Sequence, residues 1–430
     1  MRAALAFGLL CVLCLTRLAA GQEMTGFDRE RDRLMLRAVE KDLRQHYYDT
    51  TFHGLDLATL FDSAEARIKR AQSNSEAFFT IAVTLNSLQD SHTFFLPPQR
   101  TTDVEYGWSL GTVGDSCYIV KVDPKSEAAA KGVKPGDRVV AVDQFAANRT
   151  DRWNLEYVYR RLVPRIAVRL ALRSPGDTVR SIVVQGKVVP RPSIMDFTHG
   201  DDIWRVIREA ENFERSQRSP YVELGTDIIV LQLRTFSVED REIDRFVKRA
   251  REFKALVLDL RGDPGGDEST LLRLAGALVG VDTFGVRHQR HKNEPLSTRA
   301  DGPRFTGTVV VVVDAQSASA AEMLAYLVQM RKRGPVVGDR TAGAVMEAEA
   351  YSHGVGTDIV ALYGTLVSVA DIAFGDGTRL EGRGVIPDEI ILPSGADLAA
   401  HRDPALARAL ALAGRNVSPE EAGSLVPIER

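Results

Sequence analysis

Cysteine is nearly absent from this sequence. The 430 residues include three cysteines, and two of them, Cys11 and Cys14, lie in an apolar stretch at the amino terminus. Removal of that stretch leaves Cys117 alone, so the mature chain is predicted to have no internal disulfide and no metal cluster that needs two cysteines. Phosphate-binding loops, zinc signatures and nucleotide-binding fingerprints are missing as well. We therefore expect no metal and no other cofactor.

The sequence also has no large excess of positive or negative charge and few long apolar runs. The net charge is -3, without the basic bias of proteins that bind nucleic acid or membrane surfaces. After the first 20 residues, no segment is long and apolar enough to cross a bilayer. We expect no nucleic-acid partner and no membrane span once the leader is removed. The sequence leaves the oligomeric state open.

The amino terminus has the pattern of a secretory leader. Met1-Arg2 supplies a positive end, a short apolar core follows, and Leu18-Ala19-Ala20 supplies small residues for cleavage. This predicts a signal peptide at 1–20 and export to the periplasm or the medium. A membrane anchor is the weaker interpretation because the apolar run is short. Lipid attachment at Cys14 is disfavoured because Leu13 occupies a position where a small residue is expected.

Apolar periodicity divides the remaining chain into regions. Residues 24–100 have apolar positions at helical spacing, which predicts an amino-terminal helical domain. Short strands and turns over 105–190 indicate a small β domain, and the charged segment 200–220 indicates a surface helix and linker. Strands alternate with helices over 220–397, which favours an α/β core with a parallel sheet. Residues 398–430 are predicted to form a carboxyl-terminal helix and tail.

The core is organised around one strand and the turn that follows it. The run Val309–Val313 predicts a strand buried on both faces, and a helical pattern begins near Met323. A serine between them lies at the amino end of a helix, where unpaired backbone N–H groups can stabilise an oxyanion. The structural alternative is that Ser317 or Ser319 only caps the helix.

Four motifs occur in order: Asp259-Leu-Arg-Gly-Asp-Pro-Gly-Gly266, Gln316-Ser-Ala-Ser-Ala-Ala-Glu322, Val337-Gly-Asp-Arg-Thr-Ala-Gly343 and Gly384-Val-Ile-Pro-Asp388. The segment Gly132-Val-Lys-Pro-Gly-Asp-Arg-Val139, which precedes them, is similar to a PDZ domain. Together they resemble the S41 serine peptidases, which include the C-terminal processing peptidases and the tricorn core protease. The resemblance covers nearly the whole mature chain and implies a ClpP/crotonase-like parallel-sheet core.

The resemblance implies roles for individual residues. It assigns the nucleophile to Ser319, and the oxyanion hole to the Ala320 amide with an amide from Gly265 or Gly266. Glycine suits that loop because the backbone must approach the substrate without a Cβ. The processing peptidases place a lysine base where this chain has Ala344, which excludes a Ser–Lys dyad.

The tricorn-like branch of the family implies a different base. Its pattern matches this chain at Ser91-His92 and at Glu381. His92 would accept the proton of Ser319, while Ser91 and Glu381 would orient and stabilise the imidazolium. Histidine is suited to this role because its ordinary pKa is ~6.5.

Other candidates remain open at this stage. Glu381 is equally well explained as a solvated turn residue, and Glu347 and Glu349 on a predicted strand are rival acids. His288 and His291 lie in a strongly basic loop, which disfavours a metal site. The one other histidine near the core motifs lies in Tyr351-Ser-His-Gly and is a weaker candidate base.

The PDZ resemblance implies a peptide-binding role. Such domains add an extended peptide as a strand and bind its terminal carboxylate with loop amides. That loop is assigned to Tyr106, Gly107, Trp108, Ser109 and Leu110. The alternative is a small barrel that acts as a spacer or lid, and the polar insert Gln144 to Asn154 would reshape a groove.

These features predict a secreted serine-type endopeptidase that cleaves peptides or unfolded protein tails by acyl-enzyme chemistry. Its expected partner is a polypeptide, bound in part through the carboxyl-terminal tail. One alternative is a catalytically inactive peptide- or ligand-binding protein, because the family lysine is missing. Another is a crotonase-like acyl hydrolase, which the fold permits, although the PDZ-like segment favours a polypeptide substrate.

Overall fold

The computed structural model describes residues 24–190, 219–300, 302–356 and 361–425. The predicted signal peptide and nearly all of the predicted linker at 200–220 lie outside these ranges. Within the described residues, no helix has the length and apolarity required to span a bilayer. The helices are α1 (Gly26–His46), α2 (Leu57–Ile68), α3 (Asn74–Asn86), α4 (Glu127–Ala130), α5 (Arg152–Tyr157), α6 (Asp240–Ala250), α7 (Glu268–Val279), α8 (Ala320–Met330), α9 (Gly395–Ala399), α10 (Pro404–Leu412) and α11 (Pro419–Leu425).

A mixed sheet forms the core and confirms the predicted α/β class. Its order is β10-β11-β12-β15-β16-β19, in which β10 is antiparallel and all later pairs are parallel. These strands are β10 (Tyr221–Leu224), β11 (Ile228–Gln232), β12 (Ala255–Asp259), β15 (Thr308–Val313), β16 (Val336–Gly338) and β19 (Glu389–Ile390).

The five valines of β15 explain why this strand is central. All are fully buried, and alternate side chains enter two separate apolar clusters on opposite faces of the sheet. Helices α7 and α8 pack in one cluster, while α10 and α11 pack in the other. Burying a valine contributes about 1.5–3 kcal/mol, so this run fixes the sheet between two helical layers.

A second, antiparallel sheet carries the amino-terminal helices. Its order is β1-β18-β13-β14, with β17 also paired to β18. Helices α1 to α3 share an apolar cluster with Phe95, Tyr363 and Val367, which confirms the predicted helical amino-terminal region. The strands are β1 (Phe94–Leu96), β13 (Thr283–Gln289), β14 (Asn293–Ser297), β17 (Met346–Val355) and β18 (Ala361–Phe374). Pairing of Phe94 with Leu366 brings the preceding loop to the core.

A small β unit lies between these parts in sequence. Its sheet has the order β3-β4-β5-β7-β8, with β6 paired to β5, so β3 is an edge strand. A separate ribbon joins β2 to β9. The strands are β2 (Thr102–Glu105), β3 (Trp108–Val113), β4 (Ser116–Val122), β5 (Arg138–Val142), β6 (Phe145–Ala146), β7 (Ala167–Arg173), β8 (Val179–Gln185) and β9 (Lys187–Pro190).

The predicted loop over Tyr106 to Leu110 is partly wrong. Strand β3 already begins at Trp108, so Trp108, Ser109 and Leu110 belong to the strand. The Tyr106 side chain is buried, and its hydroxyl donates to the Arg165 carbonyl over 2.9 Å. Tyr106 and Gly107 remain outside the strands, and Gly107 has a φ of 73°. The Tyr106 ring packs in the apolar core of this unit, because burying its apolar area is more favourable than leaving it exposed in a loop.

Candidate active site

Ser319 lies at the junction of β15 and α8 in a strained conformation. Its φ is 54° and its ψ is -117°, a region that costs a residue with a side chain about 1–3 kcal/mol. The backbone holds it there, because its N–H donates to the Ala344 carbonyl over 2.9 Å and the Ala318 N–H donates to the Asp263 carbonyl over 2.9 Å. A strained serine between a strand and a helix is typical of an exposed nucleophile.

Ser317 has a structural role. Its hydroxyl donates to the Leu260 carbonyl over 2.8 Å and accepts the Asp314 N–H over 2.9 Å. The side chain is completely buried. Both hydrogen-bonding functions of this hydroxyl are therefore committed to the turn, which leaves Ser319 as the serine suited to chemistry.

The glycine-rich loop lies directly against Ser319. A Cβ at Gly265 would lie 2.7 Å from the Ser319 Cβ and 3.1 Å from the Ala320 nitrogen. The Gly265 N–H is already donated to Asp263 Oδ1 over 2.7 Å. Among the described residues, no hydrogen bond takes up the N–H of Gly266 or of Ala320. These two amides are therefore the available donors for an oxyanion.

The structure brings Ser91, His92 and Glu381 into one hydrogen-bonded chain. Ser91 donates its N–H to Glu381 Oε1 over 2.8 Å and its hydroxyl to Oε2 over 3.0 Å. The same hydroxyl lies 2.6 Å from His92 Nδ1. Because the hydroxyl proton goes to the carboxylate, Nδ1 must be the protonated nitrogen and must donate to Ser91. This assignment leaves Nε2 of His92 with a free lone pair.

Burial sets the protonation of this chain. It lowers the pKa of His92 below its ordinary value, against the opposing charge of Asp90. It raises the pKa of Glu381, while the N–H groups of Val345 and Ser91 and the Ser91 hydroxyl favour the ionised form. A lowered imidazole pKa keeps His92 neutral near pH 7, the state that a general base requires.

Asp90 anchors the histidine loop, a role that the sequence did not reveal. Its Oδ1 accepts the N–H of His92 over 3.0 Å, the N–H of Thr93 over 2.7 Å and the Ser368 hydroxyl over 2.8 Å. Its Oδ2 accepts the Tyr47 hydroxyl over 2.8 Å. The local signal was present, because aspartate commonly bonds backbone N–H groups two and three residues later in turns.

Glu322 anchors the nucleophile turn in a similar way. The fully buried carboxylate accepts the N–H groups of Gly343 and Ala344, each over 2.8 Å, the Ser319 N–H over 3.2 Å, and the Thr341 hydroxyl. Burial raises its pKa to about 7. This side chain fastens the 341–344 turn to α8. The sequence motif contained it without indicating its partners.

The rival acids and histidines are engaged elsewhere. Glu347 lies 2.5 Å from Arg287, and Glu349 accepts the Tyr351 hydroxyl over 2.8 Å. His353 lies 2.7 Å from Asp42 of α1. His288 contacts Asn293 in its own hairpin, and the described part of the chain holds no cluster of metal-binding groups.

The small β unit reaches the site through Arg149, in the polar insert. Its guanidinium lies 2.7 Å from Asp339 and donates to the carbonyls of Gly114 and Arg340, each over 2.8 Å. Asp339 also accepts the Gly114 N–H over 2.8 Å. This network holds the insert against the strand end that leads into the 341–344 turn.

One cleft of about 960 Å³ joins these elements. Its lining includes Ser91 and His92 from the histidine loop, Ala318 from the nucleophile turn, and Gly343 and Ala344 from the turn at 341–344. Among the described residues, no hydrogen bond joins the Ser319 hydroxyl to the His92 ring. Such contacts are often long without substrate and shorten in the complex. The base and the nucleophile turn therefore face one shared space.

Part of the chain matches a known protein family. Residues 227–391 match the family model described as peptidase family S41. That segment is similar to family S41. The similarity supports a serine-type peptidase, and the nucleophile turn and the glycine loop lie within the matched residues.

Two curated relatives match most of this chain. Tricorn protease homolog 1 of Streptomyces coelicolor is 36% identical over 405 residues, which span 89% of this chain and 35% of that protein. The chain thus spans about a third of the length of this relative. The carboxyl-terminal-processing protease of a Picosynechococcus species is 24% identical over 411 residues and 91% of each chain.

A solved structure shows the same fold. The structure of mature CPAF complexed with lactacystin has a TM-score of 0.62 and 15% sequence identity. The match covers 86% of this chain and 95% of that one. Because the match covers 86% of this chain, the shared fold is not confined to residues 227–391.

Proposed function

We propose that this protein is an exported serine endopeptidase of the S41 type that cleaves peptides or unfolded protein tails. The observation that carries the proposal is the hydrogen-bonded chain Glu381–Ser91–His92, which faces the same cleft as the strained Ser319 turn. A structural remnant would have no need for a buried carboxylate that fixes one tautomer of a cleft-facing histidine. Ala344 offers no base, so the histidine supplies one.

The proposed reaction is an acyl transfer in two steps. His92 Nε2 accepts the Ser319 hydroxyl proton as Oγ attacks the scissile carbonyl carbon. The imidazolium then returns the proton to the leaving amine, which breaks the peptide bond and leaves an ester on Ser319. Water, deprotonated by the same nitrogen, attacks the ester carbon, and the imidazolium gives the proton to Ser319 Oγ as the bond from Oγ to the acyl carbon breaks. Throughout, Ser91 and Glu381 hold the ring and stabilise its charged form.

The amides of Ala320 and Gly266 would receive the oxyanion. Both N–H groups are unengaged among the described residues, and Ala320 opens α8, where unpaired amides and the helix dipole favour negative charge. Gly265 makes room for them, since any Cβ there would meet Ser319 and Ala320. Its own amide is the weaker candidate because Asp263 already accepts it.

The small β unit would dock the substrate tail as a PDZ-like domain. Its edge strand β3 can accept an added strand, with the Gly107 turn at the strand's start as the carboxylate site. Thr112 of β3 and Leu155 of α5 line the cleft that also contains His92. A tail bound along β3 would therefore be held next to the reactive groups.

Replacement of Ser319 by alanine tests the nucleophile. Ser319→Ala should abolish cleavage of denatured casein and labelling by a fluorophosphonate probe, with an unchanged melting temperature. Ser63→Ala, on the surface of α2, is the matched control and should behave as the wild type. Equal casein cleavage with and without the Ser319 hydroxyl would refute the assignment.

Export can be tested separately. The full chain, produced in a secreting bacterial host, should be recovered outside the cytoplasm with Gly21 as its first residue. Recovery of an intact Met1 terminus from the cytoplasm alone would contradict the proposed export while leaving the chemistry untouched.

A further inference from the structure

Four large apolar side chains on the walls of the catalytic cleft are exposed. Phe79 and Val83 of α3 are each 39% exposed, and Phe145 and Trp153 of the small β unit are each 43% exposed. All four line the cleft that contains His92. They come from two units on opposite sides of a gap, so exposure of a single chance patch does not explain them.

Helix α3 has two apolar faces. One face buries Phe78, Ile81 and Leu85 in the amino-terminal core. Phe79 and Val83, at a spacing of four residues, share the other face, which borders the cleft. A helix with one buried face needs only polar residues on the other. The second apolar face therefore requires a different explanation, which a ligand in the cleft supplies.

The opposite wall is fixed relative to the base. The Trp153 ring stacks on Tyr157 with centroids 4.9 Å apart, and Phe94 meets Trp153 edge-on at 5.4 Å. Phe94 is two residues beyond His92 and is paired to β18. The exposed part of Trp153 is thus held at a set position along the cleft from His92.

Nearby charges on this wall are already paired. Arg149 is bound by Asp339, and Arg152 lies 2.7 Å from Glu156. The exposed side chains that this wall presents to the cleft include the apolar rings of Phe145 and Trp153. A volume of about 960 Å³ is at the upper end of ligand sites and accommodates a short peptide segment.

We propose that this lining is a substrate-specificity site, which binds a large aliphatic or aromatic side chain of the polypeptide between α3 and Trp153. The inference rests on the proposed function for the identity of the ligand. It adds that cleavage is selective for segments with such a side chain near the scissile bond. Small or acidic side chains would leave the apolar surfaces of the walls in contact with water.

Peptide binding to the Ser319→Ala protein tests the site without any chemistry. The probes are peptides of one fixed sequence, blocked at both ends, in which a single central residue is Leu, Phe, Ala or Asp. Blocked ends remove any contribution from a terminal carboxylate. Calorimetry should show that the Leu and Phe peptides bind about tenfold or more tightly than the Ala peptide, and that the Asp peptide binds most weakly.

Wall variants locate the preference. Trp153→Ala and Phe79→Ala, in the same background, should each reduce the Leu-to-Ala affinity ratio at least about threefold, whereas Trp153→Phe should retain most of it. Phe27 of α1 is 69% exposed and lies outside the cleft lining. Phe27→Ala should therefore leave the ratio unchanged. Melting temperatures check that each variant is folded.

The outcomes separate this inference from the proposed function. Equal affinities for the Leu and Ala peptides, or a ratio that persists when Trp153 and Phe79 are both replaced, would overturn the specificity site. An apolar preference in binding, together with no cleavage by the protein with an intact Ser319, would keep the site and refute the peptidase mechanism. Cleavage without any preference would do the reverse.

Discussion

The nucleophile turn and the histidine loop are held in place by different means. Ser319 is fixed within the core by backbone hydrogen bonds, by its position between β15 and α8, and by the local carboxylate of Glu322. His92 is held by side chains, namely those of Asp90 and Ser91 beside it and, through Ser91, that of the distant Glu381. The core alone thus positions the proposed nucleophile, whereas the position of the proposed base depends on how the amino-terminal helices dock on β18.

This difference indicates which replacements damage chemistry directly and which act through placement. Substitutions at the nucleophile turn introduce atoms next to a backbone that is held in place by hydrogen bonds and cannot move to accommodate them. Changes at the histidine loop remove one of several side-chain contacts, so the loop loses orientation in steps. The predictions below test that contrast.

The largest effect is expected from Gly265→Ala. The new Cβ would lie 2.7 Å from the Ser319 Cβ at a φ of 97°, so the oxyanion donors or the nucleophile must move. We expect kcat/KM for a peptide substrate to fall ~10³-fold or more. Gly262→Ala is the matched control, because it has a φ of 72° in the same loop but no atom within 4 Å of a new Cβ. Similar losses in both variants would show that backbone strain, and not the contact with Ser319, is responsible.

A smaller effect is expected from Glu381→Gln. The amide cannot accept the Ser91 N–H, the Ser91 hydroxyl and the Val345 N–H together, and it supplies no charge to the imidazolium. The rate of fluorophosphonate labelling of Ser319 should fall ~10²-fold. Glu349→Gln, which alters a carboxylate that contacts Tyr351, should label at the wild-type rate. If the two glutamine variants label equally fast, Glu381 does not support the base.

Glu322→Gln should act on stability more than on rate. One amide N–H₂ would face backbone donors now accepted by the carboxylate, which leaves buried groups unsatisfied. We expect the free energy of unfolding to fall by ~2–4 kcal/mol in urea titrations. At 25 °C the folded fraction should retain the wild-type dependence of rate on pH, and a changed pH dependence would instead assign Glu322 to the proton transfer.

The pH profile offers the mildest test. The proposed mechanism requires neutral His92 and ionised Glu381, and both forms are lost as pH falls. Because burial lowers the His92 pKa, the acid limb of kcat/KM should have its midpoint below the ordinary imidazole value of ~6.5, with a loss of about tenfold or more per pH unit beneath it. A midpoint above that value would mean that the charged ring is stabilised in the free enzyme.

Features that depend on neighbouring residues were accessible from the sequence. The valine run of β15 predicted a strand buried on both faces, and the small residues after it predicted the turn at Ser319. Ser91 and His92 are adjacent, so their contact needs little tertiary information. Glu381 was predicted only from the family resemblance, and in the structure its carboxylate accepts hydrogen bonds from Ser91.

Features that depend on docking were not accessible. Asp90 binds Tyr47, 43 positions away, and Ser368, 278 positions away, and apolar periodicity does not encode which units meet. The contact of Arg149 with Asp339 and the cleft-facing position of Trp153 are hidden for the same reason. The start of β3 at Trp108 was misplaced because an aromatic residue after glycine fits a loop and an edge strand equally well.

The bond between Ser91 and Glu381 spans 290 positions of the chain. A fragment limited to the S41 match at 227–391 would therefore carry a serine without its histidine. If the chain is produced as two polypeptides, split before residue 227, neither should hydrolyse peptides alone. Hydrolysis should return only when the two polypeptides reassociate. The enzyme's own turnover would then report the integrity of the assembled protein.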